Sequence, residues 1–281
     1  MRIAILGFLL LTACGGGGGE PTVLNSEITG FLSIEQPDVV LLTVSGRTLD
    51  LADLFCPPEC NRPYLGEEGN AGETIFSMMA AEGLSIEVRH YIASLRSFDD
   101  DGDEQPDRFG ILQLIRDLEW VRDNWAGTRV LLVGHSHGCV WVHNVIAARP
   151  DLQIDFLVSL DGVSLQWESD HREAIDDYYA EQGGNPFAID IRDVTDVWTV
   201  PGGERDTKDI VFDNVGFDIE VRSADFLLSD EIDNARLDGT TTGITTLAAT
   251  GDTHTGMLAA DTESMRFVVD QLRVALLASA P

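Results

Sequence analysis

The stretch Arg129–Ala148 reads RVLLVGHSHGCVWVHNVIAA and joins a predicted strand to a predicted helix through a glycine-containing turn. Its first five residues, RVLLV, are apolar after Arg129, as is typical of a strand buried on both faces. Helix-length apolar sequence continues over Gly138–Arg149 and is stopped by Pro150. Between the two lies GHSHG, Gly134–Gly138. The sequence therefore predicts a sharp strand-to-helix turn with Ser136 at its centre.

A serine in such a turn is suited to nucleophilic chemistry. A strand that turns sharply into a helix forces its central residue into a strained conformation, and only glycine tolerates the close packing on either side. The turn lifts the Ser136 hydroxyl above the edge of the sheet, where the N-terminus of the following helix favours developing negative charge. We therefore predict that Ser136 is a nucleophile.

The rest of the chain alternates strand-length and helix-length apolar runs, a pattern that predicts a largely parallel sheet with helices on its faces. The predicted strands are Asp38–Ser45, Ser85–Ile92, Arg129–Val133, Asp155–Leu160, Val194–Val200 and Asp218–Arg222. The predicted helices are Thr74–Glu82, Arg108–Trp125, Gly138–Arg149, Glu168–Gln182 and one within Met257–Ala278. Because no internal repeat or second linker divides this sequence, we predict one domain of the α/β class over residues 26–281.

The strand–GHSHG–helix segment, with the order of elements from about residue 38 to residue 281, resembles the α/β-hydrolase superfamily and its lipase/esterase branch in particular. The resemblance implies an α/β-hydrolase fold, a mostly parallel central sheet with helices on both faces. It also implies that a serine nucleophile, an acid and a histidine base follow one another along the chain in this order. Sequence identity with the family is confined to the turn and a few later positions.

Position along the chain selects the histidine that fits the family's base. His254 lies in a loop, GDTHTGM, immediately before the last predicted helix, where the family places its base. The remaining histidines lie on predicted strands or helices or within the turn itself: His90, His135, His137, His143 and His171. The resemblance therefore implies that His254 accepts the proton of Ser136.

The sequence offers more than one candidate for the acid that would pair with His254. Many family members place it after the strand that precedes the last one, which makes Glu204 or Asp206 in PGGERD candidates. A subset of lipases uses the end of the strand after the nucleophile's helix, which here reads DFLVSLDGVS and supplies Asp161. A lone carboxylate at the end of a buried apolar strand is costly unless it has a partner, and ligands gather at that edge of open α/β sheets. We therefore prefer Asp161.

The family stabilises the reacting oxygen with two preorganised N–H donors. The first is the backbone N–H of the residue after the nucleophile, here His137. The second comes from the loop after an earlier strand, where relatives often carry His-Gly and this chain has Ser45-Gly46-Arg47-Thr48. The matching donor is the Arg47 N–H, and the HGGG group of esterases is absent from the sequence.

The resemblance implies a serine hydrolase that cleaves carboxylic esters with an apolar acyl group through an acyl-enzyme, without a cofactor. Residues 163–190, which are rich in aromatic side chains, are a candidate lid over the pocket, and packing of a helix is the alternative role of these aromatics. The alternative is a non-catalytic surface lipoprotein that binds calcium or another envelope component and keeps the fold as a scaffold. The presence of Ser136, Asp161 and His254 in the family's order favours the enzyme.

Residues 1–13 have the layout of an export signal, with Arg2 followed by an apolar run over Ile3–Leu11 and small residues. The run is much shorter than the roughly 20 residues that a membrane-spanning helix needs. We therefore predict a cleaved signal peptide.

LTAC at Leu11–Cys14 resembles a bacterial lipobox, in which the cysteine becomes the acylated first residue of the mature protein. Residues 14–25 would then be a lipidated cysteine and a tether, since polyglycine behaves as flexible coil. The resemblance implies a lipid anchor in the cell envelope, and Gly15 after the cysteine fits outer-membrane sorting.

Two further features are predicted from spacing and composition. Cys56 and Cys60 flank Pro-Pro-Glu in a loop-like stretch, so an oxidising compartment favours a local disulfide between them. The acidic loop SFDDDGDEQPD offers Asp99, Asp101 and Asp103 as candidate ligands of a structural calcium ion. A solvated acidic loop is the alternative.

The formal net charge is −30 at pH 7, with 48 acidic residues against 18 lysines and arginines. A charge of this sign opposes association with nucleic acid, and with anionic lipid headgroups except through the anchor. We therefore expect no nucleic-acid partner.

Overall fold

The computed structural model describes residues 22–24, 35–48, 58–103, 105–225 and 231–278. In chain order the strands are β1 (Thr22–Leu24), β2 (Val39–Ser45), β3 (Ile86–Ile92), β4 (Ser97–Asp99), β5 (Arg129–His135), β6 (Ile154–Leu160), β7 (Trp198–Val200), β8 (Gly203–Arg205), β9 (Val215–Arg222) and β10 (Ile244–Ala248). The helices are α1 (Ala71–Ala81), α2 (Ile111–Asn124), α3 (His137–Ala148), α4 (Trp167–Gln182) and α5 (Glu263–Ala278). Across these described ranges, no helix is long and apolar enough to cross a membrane.

Six strands form a central sheet in the order β10-β9-β6-β5-β2-β3, and every neighbouring pair is parallel. The remaining described strands form two small antiparallel pairs, β1 with β4 and β7 with β8. Parallel strands need crossover connections, and helices supply most of them here.

The sheet is buried on both faces because successive side chains of a strand point to opposite sides. In β2, Val40 and Leu42 pack into a core formed with α2, α3 and α4, whereas Val39 and Leu41 pack into a second core formed with α1 and α5. The predicted α/β architecture, a mostly parallel central sheet with helices on both faces, is confirmed.

The strand order reverses between β2 and β5. From β2 the chain adds β3 on one side, and from β5 it adds β6, β9 and β10 on the other. Ligands of open α/β sheets bind at such a reversal, outside the carboxyl ends of the strands. The residues that follow these two strands are Gly46 and Ser136.

In the central sheet the sequence pattern was misleading twice: one predicted strand lies outside this sheet, and one strand of the sheet was not predicted. The prediction of a strand over Val194–Val200 is wrong in extent and place, because β7 begins at Trp198 and pairs with β8 outside the central sheet. The strand β10, a short edge strand over Ile244–Ala248 beside β9, was not predicted from the sequence. Half-buried edge positions lack the continuous apolar run by which the other strands were identified.

Two helices begin later than predicted, and local hydrogen bonds explain both. The helix predicted from Arg108 begins at Ile111, because the backbone of Arg108 pairs with Phe98 of β4 in an antiparallel bridge. In the predicted stretch Met257–Ala278 the helix begins at Glu263, since the Thr262 hydroxyl accepts the N–H of Met265 and caps it.

The close approach of α3 to β2 at Gly138 predicts that adding one methyl group there lowers stability far more than adding one at Gly251. A Cβ at Gly138 would overlap the carbonyl oxygen of Val44 in β2, so we expect Gly138→Ala to lower the free energy of unfolding by about 3 kcal/mol or more. A Cβ at Gly251 would have no neighbour within 4 Å, so we expect Gly251→Ala to change it by less than about 0.5 kcal/mol. Urea denaturation measures both, and equal stability of the two variants would contradict the packing described.

Candidate active site

Ser136 lies at the turn between β5 and α3 with φ 56° and ψ −129°. A positive φ is unusual for a residue with a side chain, and such strain concentrates at functional sites. The flanking glycines make the turn feasible, because a Cβ at Gly134 would lie 2.8 Å from the backbone of Cys139 and one at Gly138 would overlap Val44. The structure therefore contains the sharp strand-to-helix turn that the sequence predicts.

Asp161 follows β6 directly and is almost completely buried. Its own N–H donates to the Val221 carbonyl oxygen over 2.7 Å, and its Oδ1 accepts the N–H of Ser223 over 3.1 Å. Burial raises the pKa of the Asp161 carboxyl, but hydrogen bonds from His254 and Ser223 outweigh this effect and hold the pKa below its ordinary value of 3.8. The carboxylate is therefore ionised at neutral pH.

His254 lies in the loop between β10 and α5 and is also buried. Its Nδ1 is 2.7 Å from Asp161 Oδ2. Because an ionised carboxylate only accepts hydrogen bonds, Nδ1 carries the hydrogen and Nε2 is left as the basic nitrogen. The structure thus brings together the histidine and the preferred acid of the sequence analysis, which are 93 residues apart.

Glu204 and Asp206, the alternative acids, lie away from this pair. Glu204 is exposed in β8. The Asp206 carboxylate accepts hydrogen bonds from the Ser164 hydroxyl and the Asp196 N–H, each over 2.9 Å, and lies 3.4 Å from Lys208 Nζ. Asp206 thus binds groups of the loops beside α4 and does not contact His254.

Ser136 and His254 line one cavity of about 590 Å³, a size that suits a small organic ligand. No hydrogen bond joins the two side chains in the part of the chain that the structure describes. Catalytic hydrogen bonds are often long in unliganded sites and tighten around the substrate. The other residues that line the cavity are Arg47, Thr48, Tyr64, Asn70, His135, His137, Val163, Leu165, Gln166, Thr255 and Leu258.

Both predicted oxyanion donors belong to residues that line this cavity. His137 is the first residue of α3, so its N–H has no acceptor within the helix and points toward the helix N-terminal end. Arg47 lies between two anchored neighbours: the Gly46 N–H donates to the Tyr64 hydroxyl oxygen over 2.8 Å, and the Thr48 N–H donates to the Asn61 side-chain oxygen over 3.0 Å. The loop that carries Arg47 is therefore held on both sides.

The Arg47 side chain connects this loop to the start of α4. Its guanidinium donates to the Gln166 side-chain oxygen over 3.1 Å and lies 3.2 Å from Asp170. Gln166 also lines the cavity, so this contact ties two of its walls together.

The candidate lid, residues 163–190, supplies a wall of the cavity through Val163, Leu165 and Gln166. The helix within this segment, α4, buries one face against α3, and the rings of Trp141 and Trp167 have their centroids 4.9 Å apart. The other buried members of that face are His171, Ile175 and Tyr179. Movement of this segment as a lid stays a prediction.

Burial, complete or partial, lowers the pKa of several histidines because it disfavours the charged imidazolium. The pKa falls to about 3 at His135 and to about 4 at His90, His137 and His143. The two histidines within GHSHG are both committed to backbone carbonyl oxygens, His135 to His254 and His137 to Leu165, each over 2.9 Å. These rings are neutral hydrogen-bonding groups at neutral pH.

The acidic loop has a different arrangement from the one predicted. Carboxylate oxygens of Asp99, Asp101 and Asp107 lie within 4.8 Å of one another, so Asp107 takes the place that the sequence analysis gave to Asp103. Asp103 instead accepts the N–H of Gln105 over 2.8 Å. The chain folds back between β4 and Arg108, which the spacing of the acids did not reveal. Calcium binding stays a prediction.

Several predicted features lie outside the described residues. These are the signal peptide over residues 1–13, Cys14 with its glycine tether, and Cys56. Cys60 ends a short 3-10 helix, Pro58–Cys60, and its disulfide with Cys56 stays a prediction.

Sequence reasoning missed Tyr64, which lines the cavity from the 3-10 helix Tyr64–Gly66 and contacts His135. Tyr64 lies 71 residues before His135, in a segment without a periodic apolar pattern. Nothing in the sequence around it indicated this contact.

No protein-family model and no curated protein matches the chain. Several solved structures are similar to it at low identity. Est1E from Butyrivibrio proteoclasticus is 12% identical with a TM-score of 0.44, and the match covers 87% of this chain and 89% of that one. Mouse α/β hydrolase domain-containing protein 10 is 13% identical with a TM-score of 0.45, over 93% of this chain and 100% of that one. The Pyrococcus furiosus esterase Pf2001 is 12% identical with a TM-score of 0.46, over 86% and 81%. The chain is thus similar to solved α/β hydrolases, at a level that assigns it no substrate.

Proposed function

We propose that the protein is a serine hydrolase that cleaves carboxylic esters, with Ser136 as nucleophile, His254 as base and Asp161 as the acid that orients it. One observation carries the proposal: a serine at positive φ lines the same cavity as a histidine whose Nδ1 is bound to a buried carboxylate. A buried charge is costly unless it is hydrogen-bonded, and the Asp161 carboxylate accepts hydrogen bonds from the His254 imidazole and from Ser223.

In the first half-reaction, Ser136 Oγ attacks the ester carbonyl carbon while His254 Nε2 accepts the hydroxyl proton. The carbonyl oxygen becomes an oxyanion that the N–H groups of His137 and Arg47 stabilise. Asp161 stabilises the imidazolium that forms. When the intermediate collapses, the bond to the alcohol oxygen breaks and His254 returns the proton to the leaving alcohol.

In the second half-reaction, water attacks the Ser136 ester and gives its proton to His254. The carboxylic acid product leaves and Ser136 recovers its hydrogen from the His254 imidazole, so the protein returns to its starting state. The acyl group would lie against Val163, Leu165 and Leu258, the aliphatic side chains of the cavity. Apolar contacts of this kind favour an ester with an apolar acyl group.

We further propose that the mature protein is anchored to the cell envelope by lipid on Cys14, with the tether at residues 14–25. The support is the sequence alone, LTAC followed by polyglycine.

The nucleophile is tested by a serine-to-alanine pair. We expect the purified domain to hydrolyse short p-nitrophenyl esters and Ser136→Ala to reduce kcat by at least about a thousandfold, because the covalent route is lost. Ser77→Ala changes an exposed serine of α1 and should leave the rate unchanged. A fully active Ser136→Ala variant would refute the assignment, and an inactive wild type would favour the non-catalytic alternative.

The acid is tested by comparing carboxylates. We expect Asp161→Asn to reduce kcat by about 10⁴-fold, since His254 loses the group that fixes its tautomer and stabilises its charge. Glu204→Gln and Asp206→Asn should keep the wild-type kcat for the same ester. Full activity in Asp161→Asn together with loss in either of the others would move the acid to that residue.

The anchor is tested on the protein isolated from membranes of its native host. Mass spectrometry of the N-terminal peptide should show an acylated Cys14 as the first residue. A Cys14→Ser variant should lose membrane association and leave the ester hydrolysis of the domain intact. An unmodified N-terminus at another residue would contradict the prediction.

A further inference from the structure

A chain of hydrogen bonds outside the proposed triad joins the loop after β2 to the loop that carries His254. The Gly46 N–H donates to the Tyr64 hydroxyl oxygen over 2.8 Å, and that oxygen lies 2.6 Å from His135 Nδ1. On the other side of the ring, His135 Nε2 lies 2.9 Å from the His254 carbonyl oxygen. We call these two side chains the Tyr64–His135 bridge.

The acceptors determine where the protons of the bridge lie. A carbonyl oxygen only accepts, so His135 Nε2 carries a hydrogen and donates it to His254. Burial, with the neighbouring His254, lowers the pKa of His135 to about 3, so the ring is neutral and its Nδ1 accepts from the Tyr64 hydroxyl. Burial also raises the pKa of Tyr64, which keeps that hydroxyl protonated. The bridge thus has one arrangement of donors around neutral pH.

The bridge also contacts its neighbours through packing. The rings of His135 and His254 have centroids 4.6 Å apart with planes 34° apart, so His135 supports a face of the imidazole as well as the backbone of the same residue. At the other end, a Cβ at Gly46 would lie 2.5 Å from the Ser136 Cβ and 3.0 Å from the Tyr64 hydroxyl. Gly46, whose N–H donates to Tyr64 of the bridge, therefore packs directly against the proposed nucleophile.

We propose that the Tyr64–His135 bridge positions the groups of the site. It fixes where the loops that carry Arg47 and His254 lie relative to Ser136. The inference rests on the proposed function, because the oxyanion donor and the base lie in the two loops that the bridge joins. Misplacement of reacting groups by about 1 Å can cost about 10²-fold in rate. His135 acts through His254 and needs no contact with the reacting atoms.

The kinetic test removes the bridge at each end. We expect Tyr64→Phe to reduce kcat for a p-nitrophenyl ester by about tenfold and His135→Phe by about 10²-fold, with KM changed less than threefold. His135→Gln keeps a donor near the Nε2 position and should recover part of the loss. Because the two residues act as a unit, the double variant Tyr64→Phe/His135→Phe should be no slower than His135→Phe alone. Multiplied losses in the double variant would overturn the inference.

His143→Gln is the matched control. His143 is a buried histidine of α3 that bonds the Ile210 carbonyl oxygen and the Ser159 hydroxyl, and it does not line the cavity. We expect this variant to lose stability and to keep the wild-type kcat. A drop in kcat in His143→Gln equal to that in His135→Phe would show a general effect of core damage and overturn the positioning role.

Hydrogen exchange provides a readout that does not depend on activity. Backbone amides of residues 252–258 should exchange faster in Tyr64→Phe, although Tyr64 makes no direct hydrogen bond to that loop within the described ranges. An unchanged exchange rate there would overturn the inference. If the wild type hydrolyses no ester, the proposed function fails while this exchange measurement still decides the bridge. If the wild type is active and both Tyr64→Phe and His135→Phe keep its kcat, the bridge fails and the proposed function stands.

Discussion

The close packing of the α3 N-terminus against the carboxyl end of β2 is the constraint on which the site depends. At Gly138 the backbone of the helix approaches the Val44 carbonyl oxygen so closely that no side chain fits between them. Because of this contact the chain must turn sharply from β5 into α3, and Ser136 at the turn has a positive φ. It also puts Gly46 against the Ser136 Cβ, which brings the Arg47 loop to the same cavity. The fold and the proposed chemistry thus share one steric requirement.

Electrostatics divide the ionisable groups near Ser136 into two classes. Asp161 is buried but ionised, because His254 and Ser223 donate hydrogen bonds to it. The histidines of the GHSHG turn are buried without a carboxylate so close, and their pKa values fall far below the ordinary value. Two neutral rings can therefore lie beside a proposed base without competing for its proton. The same division makes His135 suitable as a hydrogen-bonding bridge.

The parts of the structure that the sequence predicted well are those whose pattern is local. A buried run, a glycine turn and a helix are contiguous over residues 129–148, and the family resemblance then indicated Asp161 and His254, which the structure brings within 2.7 Å of each other. The features that the sequence did not predict depend on contacts between segments that are distant along the chain. Tyr64 meets His135 across 71 residues, and Asp107 returns to Asp99 because the loop folds back after β4. Neither spacing nor composition carries such contacts, since side chains at the ends of long loops are positioned by tertiary packing.

The central claim is that Ser136 is the residue that becomes acylated. It is tested most directly by treating the protein with a fluorophosphonate, which forms a stable adduct with an activated serine, and by mapping the adduct with peptide mass spectrometry. We predict one adduct per chain, on Ser136, and its loss when the protein is unfolded before treatment. An adduct confined to another residue, or none on a folded protein, would contradict the claim.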